Sequence, residues 1–312
     1  MKINEIENLQ IDYFQLMDLR VDFAFKLLFT KGDPRLLISL LNAIFANKKI
    51  KRIVKSISIK NPFLDKETDD DKLSILDIRA ELADGTNILI EMHLHGLSEL
   101  KPKTIRSWAR AFGEELEAGK SYCDQPPTIA IAFVDGAVKP LEDSENAKAN
   151  KDKIHRLCMI MDREDCTVFT DVMELHYINM KAFAKAVNEA NSININDTAE
   201  IKFAKWLSVI TQKEINNKAI IEDAYKDEEE ISMAVHTLVK HGEDKYTRQK
   251  YARRKEDIQD YTLKMIRAEH DRQRADQLQI EKEQADRRAE KAEAEIETLR
   301  KRLAELEAQT QK

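Results

Sequence analysis

Residues 74–95, SILDIRAELADGTNILIEMHLH, hold two alternating runs around one short turn, and that turn decides what this part of the chain can build. In the first run Leu76, Ile78, Ala80 and Leu82 alternate with Asp77, Arg79 and Glu81; in the second, Ile88, Ile90 and Met92 alternate with Leu89, Glu91 and His93. Alternation of period two predicts a pair of strands, each with one aliphatic face. A two-residue loop at Asp84-Gly85 would pair Asp77 with Met92 and Ile78 with Glu91, which buries carboxylates among aliphatic side chains on both faces. A three-residue loop with Gly85 at positive φ instead pairs Asp77 with Glu91, Ile78 with Ile90 and Leu76 with Met92. One face is then wholly aliphatic, so this second register is expected.

Its chemical consequence is that Asp77 and Glu91 become cross-strand neighbours, with Cβ atoms roughly 4.5–5.5 Å apart. His93 shares their face two residues further on. Two carboxylates so placed repel, and a shared proton, a basic neighbour such as Arg79, or a divalent cation would each compensate. On a face that a cation can reach, the trio suits metal-assisted hydrolysis of a phosphodiester, in which the third group positions water. An ordinary polar hairpin is the alternative reading of the same residues.

The turns that punctuate a compact fold belong to the first half of the chain. All six prolines lie at or before Pro140, and of seven glycines only Gly242 follows Gly136. Residues 22–45 carry apolar side chains at helical spacing, broken at Lys31-Gly32-Asp33-Pro34, which predicts a helical hairpin. Strands are expected at 52–60 and 74–94, then a helix over Lys103–Ala118 ended by Gly119, a fully buried strand TIAIAFV, and weaker strands at HRLCMIM and MELHYINM. Beyond Phe183 the pattern is helical, with helices near 198–212, 217–225 and 228–241. From about Lys255 a 3,4 spacing runs through Ala275, Leu278, Lys282, Ala285, Ala289, Ala292, Ile296, Leu299, Leu303 and Leu306, the seam of a coiled coil; a solvated single helix held by charge pairs is the other possibility. Three segments are therefore expected: a core over 1–183, a helical region over 184–254 and a long C-terminal helix over 255–312.

Charge and composition narrow the setting. Of 312 residues 42% are hydrophobic and the net charge is −6, which excludes indiscriminate polyanion binding while leaving room for a local basic face. The amino terminus lacks a basic stretch followed by an apolar run, and the longest apolar stretch, IAIAFV, is too short to span a bilayer, so a cytoplasmic protein without membrane contact is expected. Cys123, Cys158 and Cys166 show no metal-ligand spacing and are expected as reduced packing residues. His155, His176, His236, His241 and His270 show no ligand spacing either, and no role is assigned to them.

Taken in order, Asp22-Phe-Ala-Phe-Lys26, LLNAI at 40–44, Asp77, the Asp-Gly turn, Glu91-Met92-His93, Arg106-Ser-Trp108, Gly119-Lys-Ser-Tyr122 and the late segment YARRKEDIQDY resemble the PD-(D/E)XK nuclease family transposases, also described as recombination-promoting nucleases. The resemblance spans roughly 18–265. It implies an α/β (α+β) restriction-endonuclease-like core, a central mixed sheet flanked by helices, with magnesium-dependent cleavage of DNA. Asp77 and Glu91 match the metal-binding acids of such a site, and Asp22 is a further metal candidate because an acid on the first helix often completes it. Manganese is the alternative metal. His93 occupies the third catalytic position, where the family usually has Gln or Lys; an imidazole, which titrates near neutrality as a residue type, replaces an uncharged or always cationic group.

DNA-phosphate contacts are expected from Lys26 and from Lys103, Arg106 and Arg110, which fall on one helical face. Glu114, Glu115 and Glu117 on the same helix make a solvated mixed-charge face the competing reading. Trp108 and Phe112 are expected in the core. The leading function is a metal-dependent DNA endonuclease that forms a homo-oligomer through its C-terminal coiled coil. Its alternative is a catalytically inactive nuclease-fold protein that binds DNA or acts as a scaffold.

Overall fold

A computed structural model describes residues 16–60, 77–94, 97–114, 119, 121–138, 152–193, 198–226 and 228–310, without the side chains of 77, 97, 98, 198, 199, 269 and 302–310. The chain divides into two compact units, Met1–Gln259 and Asp260–Lys312.

The first unit begins with the expected helical hairpin, α1 (Asp22–Lys31) and α2 (Pro34–Asn47). Asp33 caps α2 by accepting the Arg35 N–H at 2.9 Å, and Pro34 takes the first helical position, where no backbone donor is missed. Gly32 allows the tight exit from α1, because a Cβ there would stand 2.2 Å from the Leu28 carbonyl oxygen.

Among the described residues a six-stranded mixed sheet follows: β1 (Ile57–Ile59), β2 (Asp77–Leu82), β3 (Asn87–His93), β4 (Thr128–Val134), β5 (His155–Met161) and β6 (Val168–Asn179), in the order β1-β2-β3-β4-β6-β5. The β3–β4 and β4–β6 pairs are parallel and the other three antiparallel. Gly85 adopts φ +84°, and the Leu82 N–H donates to the Thr86 carbonyl at 2.9 Å, closing the three-residue loop. The register follows: Asp77 stands opposite Glu91 and Ile78 opposite Ile90. The Leu76 pairing lies outside the described residues.

Two layers cover the sheet. On one face Ile78, Ile90, Ile131, Phe133 and Ile178 join α1, α2 and the later helices α4 (Met180–Ala190), α5 (Thr198–Ile210), α6 (Lys218–Lys226) and α7 (Glu229–Glu243) in one core around the fully buried Trp206. The helices after Phe183 therefore share a core with the sheet. On the other face α3 (Leu97–Glu114) packs Leu100 and Ala111 against Leu89, Ala130, Ala132, Val134, Leu175 and Tyr177.

Several expected boundaries move. α3 starts six residues before Lys103 and carries Pro102 inside, because burial of Leu100 holds the first turn even where proline removes a helix hydrogen bond. Its expected extension over 115–118 lies outside the described residues. β1 keeps only three of the nine residues expected, whereas β6 runs for twelve. Cys158 packs against the smaller core as expected, but Cys123 and Cys166 are exposed free thiols.

The final helix, α8 (Lys245–Thr310), begins in the first unit. There the Asp18 N–H donates to the Tyr251 hydroxyl at 2.9 Å, and Arg254 Nε donates to both Asp22 carboxylate oxygens at 2.8 Å. Within the second unit Leu278, Ile296 and Leu299 are more than half or half exposed; the seam positions Leu303 and Leu306 lie outside the described side chains. Among the described residues no helix is long and apolar enough to cross a membrane.

Candidate active site

The residues of the hairpin's polar face are placed by β3. Strand alternation puts Leu89, Glu91 and His93 on the side covered by α3, and the antiparallel register sets the Asp77 backbone opposite Glu91. Glu91 and His93 meet directly: the His93 Nε2–H donates to Glu91 Oε2 at 2.8 Å. Ser107 of α3 supplies a second hydrogen bond to the carboxylate. The side chain of Asp77 lies outside the described residues, so only its backbone position opposite Glu91 is fixed.

The expectation of a face open to a cation is not met at Glu91. Its relative exposure is 3% and that of His93 is 2%, because α3 lies across them. Burial alone pushes a carboxyl group's pKa up, but here the hydrogen bonds from His93 and Ser107 and the charges of His93 and Lys103 outweigh it. The Glu91 carboxyl is held below its ordinary range and is ionised at neutral pH. A buried carboxylate kept charged by three donors or charges on two elements is a built feature of this sheet.

The other expected residues distribute unevenly. Asp22 is buried at the start of α1, and its carboxylate is committed to Arg254 of α8. Joining a metal set would require it to leave that ion pair. Lys26 is half-buried one turn further along α1. Lys103, Arg106 and Arg110 are exposed on α3. Arg110 donates to Glu114 at 2.8 Å and Arg79 to the same carboxylate at 2.9 Å, so that end of the helix carries both signs of charge. Trp108 belongs to the core, stacked on Phe112 at 4.9 Å between centroids and donating to the Thr128 carbonyl at 2.8 Å.

Among the described residues no group of three or more His, Cys, Asp or Glu side chains stands ready to hold one metal ion. Glu91 and His93 supply one carboxylate and one imidazole, and the Asp77 backbone stands opposite Glu91. A carboxylate oxygen suits magnesium or manganese.

A second cluster was not anticipated from the sequence. On the opposite face of the sheet His155 of β5 and His176 of β6 share a hydrogen bond of 2.9 Å between Nε2 and Nδ1. His155 Nδ1 contacts Asn47 Oδ1 at 2.6 Å, His176 Nε2 lies 3.4 Å from Glu174 Oε2, and Arg52 donates to Glu174 Oε1 at 3.0 Å. The available signal was a repeat: Glu174-Leu175-His176 copies the strand spacing of Glu91-Met92-His93.

Burial pushes the His155 pKa down to about 2, with His176 and the nearby lysines adding to it; burial also lowers His176. Below the ordinary histidine value near 6.5 the unfolded chain therefore binds protons that the folded chain refuses, so stability falls as pH falls. Glu174, held below its ordinary range despite burial by His176 and Arg52, acts in the same direction at lower pH. Calorimetric melting is expected to show stability falling with pH below 6.5, by up to about 1.4 kcal/mol per pH unit for His155, with His176 adding in the same direction. His155→Gln should flatten that slope; an unchanged slope in the variant would exclude His155 as its source.

A mixed sheet flanked by helices, with paired acids on a central antiparallel hairpin, defines a restriction-endonuclease-like nuclease fold. The chain belongs to the PD-(D/E)XK nuclease family transposases, whose family model matches residues 19–269. No curated protein and no solved structure matches the chain.

Proposed function

We propose that this protein is a metal-dependent DNA endonuclease whose active site is formed by Asp77, Glu91 and His93. The observation that supports it most is the register that places the Asp77 and Glu91 backbones directly opposite each other, with His93 bonded to Glu91. A magnesium or manganese ion held by Asp77 and Glu91 would polarise the phosphoryl group and make water more acidic. The protein's own contribution is electrostatic and positional. Glu91 arrives ionised, His93 fixes the orientation of its carboxylate, and exposed Lys103 and Arg106 offer charge to DNA phosphates in a sequence-blind way. Lys26 is proposed for the same role from α1. Coordination by Glu91 requires exchange of its bonds to His93 and Ser107, so catalysis demands that α3 yield locally.

That requirement is also what favours a second reading. A buried Glu91–His93 pair is what a nuclease fold retained for DNA binding or scaffolding would keep as a structural polar contact. Plasmid nicking with magnesium or manganese separates the two.

The second unit is proposed to pair with another copy through its seam. Leu278, Ile296 and Leu299 leave half or more of their surface exposed in a single chain, and apolar stripes of this spacing are buried by helix partners. Two catalytic units in one assembly suit double-strand cleavage. The parent is expected to sediment as an oligomer and the Ile296→Glu/Leu299→Glu variant as a smaller species. A monomeric parent at micromolar concentration would end this part of the reading.

A further inference from the structure

A cavity of about 430 Å³ in the first unit is a cleft between the end of α2, the start of β5 and helices α4 and α5. It lies on the helix-rich face of the sheet, whereas Glu91 and His93 occupy the other, so cleavage of DNA does not account for it. Its volume falls in the range of small-molecule sites. Phe183, Val187 and Phe203 give it apolar walls, and the edges of His155 and Asn47 give it a polar floor.

That floor is built at a cost. The chain from Asn47 through His155, His176 and Glu174 to Arg52 places five polar side chains in or beside the core, where apolar packing would serve stability as well or better. Its effect is to hold His155 in place and uncharged at the base of the cleft, with the tilted Phe203 ring beside it at 5.2 Å between centroids.

The rim carries the charge. Lys48 is half-buried, and burial together with the nearby Lys153 lowers its pKa, so the two ammonium groups act on one another. Glu200 acts on Lys48 in the opposite sense. Glu200 is the acid that lines the cleft, and Arg156 adds positive charge close by. Among the lining residues two lysines face one glutamate and a neutral histidine above apolar walls.

We propose that this cleft is a second ligand site, which takes a small amphipathic monoanion: an aryl or alkyl body between Phe183 and Phe203, with its carboxylate or sulfonate group at Lys48 and Lys153. The proposal is independent of the nuclease reading.

The probe is 8-anilinonaphthalene-1-sulfonate, titrated by fluorescence into the full chain at low ionic strength without metal. One saturable site per chain is expected. Lys48→Ala/Lys153→Ala removes exposed or half-exposed side chains and should weaken the probe at least tenfold. Ala186→Phe, at an exposed position of α4 on the cleft, should weaken it comparably by filling the mouth. Melting temperatures of both variants are compared with the parent to show that they fold. Decanoate should displace the probe and inorganic phosphate should not. Unchanged affinity in both folded variants, absence of saturation, or displacement by inorganic phosphate at similar concentration would each overturn the proposal.

Discussion

Asp77→Ala and Glu91→Ala are each expected to reduce plasmid nicking to the level seen when the metal is chelated. A carboxylate that holds the cation contributes several kcal/mol to stabilising the transition state, and each 1.36 kcal/mol is tenfold in rate, so the loss is roughly 10²–10⁴-fold. Glu91 also lies in a buried polar contact, so Glu91→Gln serves as the fold-preserving companion: its amide still accepts a hydrogen bond but carries no charge. His93→Gln is expected to retain or raise nicking, since a glutamine amide can donate to Glu91 as the imidazole does. Complete loss in a folded His93→Gln protein would make the imidazole essential. Equal nicking by the parent and all the acid variants would assign the activity elsewhere and leave the inactive nuclease-fold reading standing.

The largest stability effect is expected at Trp206. Its side chain is fully buried among α1, α2 and α5, its ring centroid lies 5.8 Å from that of Phe29, and its indole N–H donates to Ser39 Oγ at 3.1 Å. Trp206→Ala leaves a cavity and an unpaired Ser39 hydroxyl, for about 3–5 kcal/mol. Against the few to fifteen kcal/mol that natural domains hold, that is a large fraction. Denaturant midpoints with an unchanged m-value would measure it. A loss below about 1 kcal/mol would mean that the helices after Phe183 are not part of the core that the sheet shares.

The hairpin register was legible because two local rules agree: aliphatic side chains prefer one face, and Gly85 is the residue that tolerates φ +84°. The helical hairpin was legible from Asp33-Pro34 for the same reason. What escaped was set by distant partners. Arg254 finds Asp22 across 232 positions, and no periodicity connects them, although both fall in segments that carry the family resemblance. The cover that α3 lays over Glu91 depends on how a helix crosses a sheet, which alternation along β3 does not encode. The His155–His176 contact needs the β5–β6 pairing before the two residues become neighbours.

The clasp between the two ends of the first unit has a consequence for synthesis. A ribosome adds roughly 5–20 residues per second, so α1 emerges roughly 10–50 s before Tyr251 and Arg254 exist to hold it. During that interval Asp22 is a carboxylate without its cation, and the first helix must survive on apolar contacts or on help from a chaperone. Slowing translation late in the message would lengthen this exposure, whereas slowing it early would not.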